Sequence, residues 1–334
     1  MDIGGGLVNQ CRPPGRLYQN NMYSSQRCCE ETSKAMLRFF VSSNPTPGNE
    51  NNLENLEYMT AIKDFTVDKA ETKTVSKLLN AYGVVKIESY LTAVETEKLL
   101  GETKTAISNF KNYKNPYGNC ARFSLEKLSG ELSVSRDLFE GEHLSPLPGE
   151  FGLTSEILER EFFSELIKEY IGENAGFMEV VVFTQDYIAD VKAIYGLLHF
   201  DRRHQLKFIF YLNDVDKENG AFGCIPGSHK YGEDLYYKAW GKILNLEPSQ
   251  KKEIDKKALS VSEDEPRYKK IPCVLENIDF KDEGYPNFEK QFVEGAAGSM
   301  IIFDTHLLHF GGRVNEGKER WTIKGHTFAY VNKD

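Results

Sequence analysis

His199-Phe200-Asp201 is the stretch on which the reading of this chain turns. On a strand, side chains alternate between faces, so His199 and Asp201 share one face while Phe200 points to the other. An imidazole beside a carboxylate suits a borderline metal such as ferrous iron. A second histidine would complete a two-histidine, one-carboxylate triad that leaves coordination positions open for chemistry. The chain offers one far downstream at His309, within Asp304-Thr305-His306-Leu307-Leu308-His309-Phe310-Gly311-Gly312, and Arg320 follows eleven residues later. His-x-Asp alone is a weak signal. The ordered set of four is much stronger.

Composition bounds the answer. The chain has 334 residues, enough for one large domain with a sizeable core or for two small ones. Hydrophobic residues make up 40% and charged residues 27%, the balance of an ordinary water-soluble globular domain. A formal net charge of −9 speaks against a general nucleic-acid binder, because no basic field answers the phosphates. No apolar run reaches the roughly 18 to 20 residues of a membrane span. The six cysteines, at 11, 28, 29, 120, 224 and 273, form no Cys-x-x-Cys pair and read as reduced thiols of a non-secreted protein.

Residues 1–60 stand apart. Gly4-Gly5-Gly6 and Pro13-Pro14-Gly15 break structure, and Arg12, Arg16 and Arg27 outweigh Asp2. This poorly structured arm is either a disordered tail or an organellar targeting segment, which leaves localisation cytoplasmic or organellar. The oxygen-rich stretch 41–56 reads as linker. Order begins near Thr66, in one domain over 61–334. Val75, Leu78, Leu79 and Tyr82 recur at helical spacing and Gly83 terminates the helix, with a strand at Val84–Ile87 and a second helix over Leu91–Phe110. Residues 111–153, broken by glycine and proline, give no clear pattern, although Arg122, Lys127 and Arg136 are cations there. A helix with an apolar stripe follows from Thr154 to Tyr170, capped by Thr154 or Ser155. Strands then dominate: Met178–Phe183, Lys207–Leu212, Ala221–Ile225, Ser299–Asp304 and Arg320–Tyr330. The last places Arg320, Thr322, Lys324 and His326 on one face. The long charged excursion over 231–290 is expected to hold some helix and to lie over the mouth of a site. Such strands, with helices outside, suit a barrel of two sheets.

Three segments carry a family resemblance. Leu79-Asn80-Ala81-Tyr82-Gly83-Val84-Val85, then Asn219-Gly220-Ala221-Phe222 through Ile225-Pro226-Gly227-Ser228-His229-Lys230, then Gly298–Phe303 with His309 and Arg320, resemble in order the phytanoyl-CoA dioxygenase family. The likeness runs from about Leu78 to Tyr330 and is patchy through 111–175 and 231–290. It implies a mainly β protein with flanking helices, folded as a double-stranded β-helix, or cupin-like jelly roll. It implies Fe(II) held by His199, Asp201 and His309, 2-oxoglutarate as cosubstrate, and O2 as the other reactant. Arg320 would meet the distal carboxylate of 2-oxoglutarate in a bidentate pair, with Thr322 assisting.

Other residues compete for these roles. His306 is the rival second ligand, but the spacing to Arg320 in this family favours His309. His229 reads as a loop histidine orienting the barrel, His204 as a packing or substrate-facing residue, and Asp304 and Asp214 as caps or turn residues. Arg202 and Arg203 directly follow the carboxylate and would make the mouth basic, in keeping with a small carboxylate-bearing metabolite. Hydroxylation or oxidative cyclisation in specialised metabolism, such as natural-product biosynthesis, is the favoured activity. The competing accounts are a cupin-like metalloenzyme that uses no oxoacid and a catalytically silent β-barrel. An intact set of ligands together with Arg320 argues against both.

Overall fold

The computed structural model describes residues 62–327, apart from 110–113, 116–117, 129–130, 137–150, 173–177, 188–195, 263–264, 270, 272, 276–279 and 281–287. The arm at 1–60, including any targeting segment, lies outside the described residues, as do the side chains of Arg122, Lys127 and Arg136. After a 3-10 turn at Ile62–Phe65 come β1 (Thr66–Val67), α1 (Thr72–Tyr82), β2 (Val84–Ile87) and α2 (Ala93–Asn109). Next are β3 (Lys114–Asn115), β4 (Gly118–Leu128), β5 (Glu131–Arg136), α3 (Gly152–Leu158), α4 (Glu161–Ile171), β6 (Met178–Asp186) and β7 (Leu206–Tyr211). They are followed by β8 (Phe222–Cys224), α5 (His229–Leu244), α6 (Lys251–Leu259) and α7 (Pro266–Lys269). The chain closes with β9 (Gln291–Val293), β10 (Met300–Asp304), β11 (His309–Phe310) and β12 (Arg320–Thr327).

The strands build two sheets, ordered β1-β2-β10-β7-β12-β6-β4-β3 with β5 on β4, and β11-β8-β9. Burial on both faces explains why the central strands are so apolar. On β10, Met300 and Ile302 enter the core under the helices, whereas Ile301 and Phe303 enter a second core between the sheets. β7 divides likewise, with Leu206, Phe208 and Phe210 on the helix side and Ile209 and Tyr211 between the sheets. A third core joins Tyr236, Tyr237 and Trp240 of α5 and Ile254 and Ala258 of α6 to Leu198, Phe200, Leu308 and Phe310. Each such side chain contributes about 1.5–3 kcal/mol when fully removed from water. The result is a layered jelly roll: helices α1–α4, the large sheet, the small sheet, then the helical excursion.

Local chemistry sets the boundaries. Gly83, at φ 70°, ends α1 with its N–H on the Leu79 carbonyl (2.7 Å), a left-handed conformation suited to glycine. The single helix expected over Thr154–Tyr170 is instead two. Glu102 of α2 caps the first, accepting from the N–H groups of Leu153 and Thr154 (3.0 Å each) and from Thr154 Oγ1 (2.5 Å). Arg160, in an extended conformation, then starts the second. Thr154 is therefore a buried residue inside α3 rather than a helix cap. The excursion at 231–290 contains helix, as its length required, and that helix begins at His229.

Candidate metal centre

Backbone pairing brings the two halves of the site together. His199 and His309 exchange N–H···O bonds in both directions (2.9 and 2.8 Å), and Asp201 N–H donates to the Thr305 carbonyl (2.9 Å). The alternation expected around Phe200 is observed, since Phe200 is buried in the third core while His199, Asp201 and His309 converge. One ligand-type atom from each of these three lies within 4.8 Å of the others, and His309 Nε2 is 4.0 Å from Asp201 Oδ1.

The rings are held in a defined way. His199 Nδ1 lies 2.8 Å from the Leu197 carbonyl and His309 Nδ1 lies 2.7 Å from the Leu307 carbonyl. A carbonyl only accepts, so both Nδ1 atoms carry the proton and each neutral ring keeps its Nε2 lone pair for a cation. Hydrogen bonds of this kind orient histidine ligands in metal sites. Two imidazoles and a carboxylate are also a donor set that suits ferrous iron. The residues fit the metal that the resemblance implies.

Lys207, a lone cation in the apolar strand β7, places Nζ 2.5 Å from Asp201 Oδ2. Burial opposes ionisation of Asp201, but Lys207, His309 and His199 outweigh it and hold the carboxyl well below its ordinary range. For His309, burial first and then His199 push the pKa down to about 3. Burial likewise lowers His199, His229 and His306. In each case the unfolded chain binds a proton more readily than the folded one. The metal-free protein is therefore expected to lose stability as pH falls from about 6.5 toward about 3, by up to about 1.4 kcal/mol per pH unit for each histidine titrating. Denaturant titrations of chelator-treated protein at several pH values across that window would check this, and a flat profile would contradict it.

Arg320 is buried and already engaged. Its Nε and Nη2 donate to Asp186 Oδ2 (3.0 and 2.8 Å) and its Nη1 donates to the Gly220 carbonyl. Burial works against the Asp186 carboxylate, yet Arg320 and Lys324 keep it below its usual range. Thr322 is buried one strand step on, its hydroxyl 2.6 Å from that of Thr184. The pairing of β12 with β6 sets Arg320 opposite Asp186 and Thr322 opposite Thr184.

The remaining candidates fall elsewhere. His229 is the first residue of α5 and is buried, rather than a loop histidine. Asp304 accepts from Tyr170 Oη, His204 Nε2 and the His306 N–H, all at 2.8 Å, which makes it the centre of a buried network. Asp214 accepts the Ala297 N–H at a turn (2.9 Å). Arg202 and Arg203 do not simply line a mouth. They donate to the carbonyls of Ile271 and Val261, and both stand over the Tyr268 ring, so they clasp the helical excursion. Sequence reasoning missed Lys207 and Asp186. The first had a signal, a single charge in Leu-Lys-Phe-Ile-Phe-Tyr, and the second had none without the strand register.

A jelly roll whose two sheets turn two histidines and a carboxylate toward one another is the architecture of the iron(II)- and 2-oxoglutarate-dependent oxygenases, and the protein is an enzyme of that class. Residues 190–321 match the phytanoyl-CoA dioxygenase family. No curated protein matches the chain. Among solved structures it is similar to the carbocyclase SnoK from nogalamycin biosynthesis, at 14% identity over 77% of this chain and 83% of that one, TM-score 0.46. It is similar also to HygX from Streptomyces hygroscopicus, solved with nickel and 2-oxoglutarate, at 13% identity over 78% and 88%, TM-score 0.44. A third is EctD from S. alaskensis, solved with 2-oxoglutarate and 5-hydroxyectoine, at 13% identity over 80% and 79%, TM-score 0.44. No helix among the described residues is long and apolar enough to cross a membrane.

Proposed function

We propose that the protein oxidises an unactivated C–H bond of a small, carboxylate-bearing metabolite, by hydroxylation or oxidative cyclisation. Succinate and CO2 are the products from 2-oxoglutarate. His199, Asp201 and His309 hold the iron, and Arg320 with Thr322 receives the distal carboxylate of the cosubstrate. The observation that supports this most is the pair of Nδ1-to-carbonyl bonds, which leaves both Nε2 lone pairs for a cation beside Asp201. When bound, ferrous iron activates O2 at the expense of 2-oxoglutarate, the hard step of the reaction.

The chain's own part is positioning. Leu197 and Leu307 fix the rings, and Asp186 and Gly220 fix the plane of the Arg320 guanidinium. Lys207 neutralises Asp201 until the metal arrives. α5–α7 act as the cover, drawn down by Arg202 and Arg203, which also make that side favourable to an acidic substrate. Residues 61–334 serve as one oxygenase domain, with 231–290 as its lid.

An anaerobic titration with iron(II) and 2-oxoglutarate tests the reading, followed by the weak visible charge-transfer band of the chelate and then by succinate release on admitting oxygen and candidate small acids. A band that appears with both components supports it. Folded, iron-loaded protein without that band would leave a cupin-like enzyme of other chemistry or a silent barrel.

A further inference from the structure

A second cluster of metal-type donors lies beside the first and shares no residue with it. His204, Asp304 and His306 each bring one ligand-type atom within 4.8 Å of the others, and all three are buried. They line a cavity of about 200 Å³ together with His229, Tyr170, Asn80, Lys230 and Glu233. His306 Nε2 and His229 Nδ1, on residues only 1% and 8% exposed, have no hydrogen-bond partner there. The His229 tautomer is set by Asn80, whose carbonyl lies 3.2 Å from Nε2 and can only accept. Its Nδ1 is therefore a buried lone pair with nothing to bind. A polar atom buried in this state destabilises the fold, and a bound cation would relieve it.

We propose that His204, Asp304 and His306 form a second divalent-metal site, distinct from the catalytic one and of the zinc type, and that His229, across the same cavity, turns to the ion as its fourth ligand. With His229 added to the two imidazoles and the carboxylate already grouped, the donors and their number are those of a closed, four-coordinate zinc site. The carboxylate is ionised in place. Burial opposes its charge, but His204 and His306 together hold Asp304 far below the ordinary carboxylate range. The chain brings the donors together from three segments. The loop after Asp201 supplies His204, the last residue of β10 and the turn after it supply Asp304 and His306, and α5 supplies His229. Thr305 stitches the first two, donating to the carbonyls of Gln205 (3.0 Å) and Arg203 (2.9 Å) and accepting the Gln205 N–H (2.8 Å). α5 comes near enough only because residue 232 is glycine, since a Cβ there would sit 1.9 Å from the His306 carbonyl oxygen.

The same two segments also carry Asp201 and His309, so an ion at this site ties α5 to the segments that frame the catalytic centre. A metal bound only by the folded state would stabilise that arrangement by mass action.

Cobalt(II) is the probe. Full-length protein is stripped with chelator, titrated with Co(II) at stoichiometric concentrations, and assayed for metal retained after desalting and for visible absorption. Wild type is expected to retain two equivalents, with a tetrahedral-type visible spectrum from one of them. His306→Gln and His204→Asn should each retain one and lose that spectrum. His309→Ala should also retain one but keep it. Zn(II) should raise the melting temperature of His309→Ala but not of the triple variant His204→Asn/His306→Gln/His309→Ala. One equivalent in wild type and none in His309→Ala would overturn the proposal, as would two equivalents surviving in the double variant His204→Asn/His306→Gln. Should the cluster variants fail to fold, His309→Ala decides alone: one retained equivalent with the spectrum supports the site, and none refutes it.

Discussion

Replacing His309 by alanine is expected to lower 2-oxoglutarate-dependent succinate release by about 10³-fold or more, which is about 4 kcal/mol of activation barrier. The loss is chemical rather than architectural. His309 joins the fold through its backbone, pairing with His199 on one side and with Cys224 of β8 on the other, and alanine preserves both pairings. What disappears is one of the donors facing Asp201, in a ring that rests against Phe303 at 4.9 Å and Phe222 at 5.9 Å. Iron retained by the variant, measured after desalting, should fall in parallel with activity, while far-ultraviolet circular dichroism stays near that of wild type. His306→Gln is the informative comparison, because His306 lies only three residues away and also among metal-type donors. If His306→Gln abolishes the iron–2-oxoglutarate band and His309→Ala leaves it intact, the catalytic assignment passes to the other cluster.

That the two clusters needed a structure to separate them follows from how each is written in the chain. His199, Asp201 and His309 are legible because strand alternation turns a His-x-Asp spacing into a shared face, and because His309 and Arg320 stand at the family's spacing. The sheet cores are legible for the same kind of reason: Met-Ile-Ile-Phe of β10 is apolar at every position, as a strand buried on both faces must be. His204 and His229 lack any such periodicity. One lies in an irregular loop and the other at the start of a helix, and only tertiary packing brings them to one cavity with Asp304. The break between α3 and α4 was hidden too. The stripe Ile157, Leu158, Phe162, Phe163, Leu166 runs through it at helical spacing, whereas the capping carboxylate comes from Glu102, some fifty residues earlier in the chain. Arg202 and Arg203 were visible as charges, but their partners, backbone carbonyls of the excursion, were not. Local pattern reports which face a residue takes, and it says little of what that face meets.

Arg320 is where this difference matters most for function, because the structure gives it a partner as well as the cosubstrate role proposed for it. Arg320→Met is expected to impair the enzyme twice. It would remove the guanidinium that meets 2-oxoglutarate, and it would leave the Asp186 carboxylate buried opposite an apolar side chain, a loss of about 3–5 kcal/mol of stability for a broken buried pair. The double variant Arg320→Met/Asp186→Leu separates the two effects. With both charges replaced by apolar groups of comparable size, most of the stability should return, since a buried ion pair gains little over good packing. Thr184 keeps the Thr322 hydroxyl as a partner, and Lys324, only partly buried, can turn to water. Binding of 2-oxoglutarate should not return. Denaturant midpoints and the 2-oxoglutarate dependence of the iron charge-transfer band, measured on both variants and wild type, read the two outcomes independently. A double variant that regained stability and cosubstrate affinity together would make Arg320 a purely structural partner of Asp186 and move the carboxylate-binding role to another cation on the inner face, of which Lys207 stands nearest to Asp201.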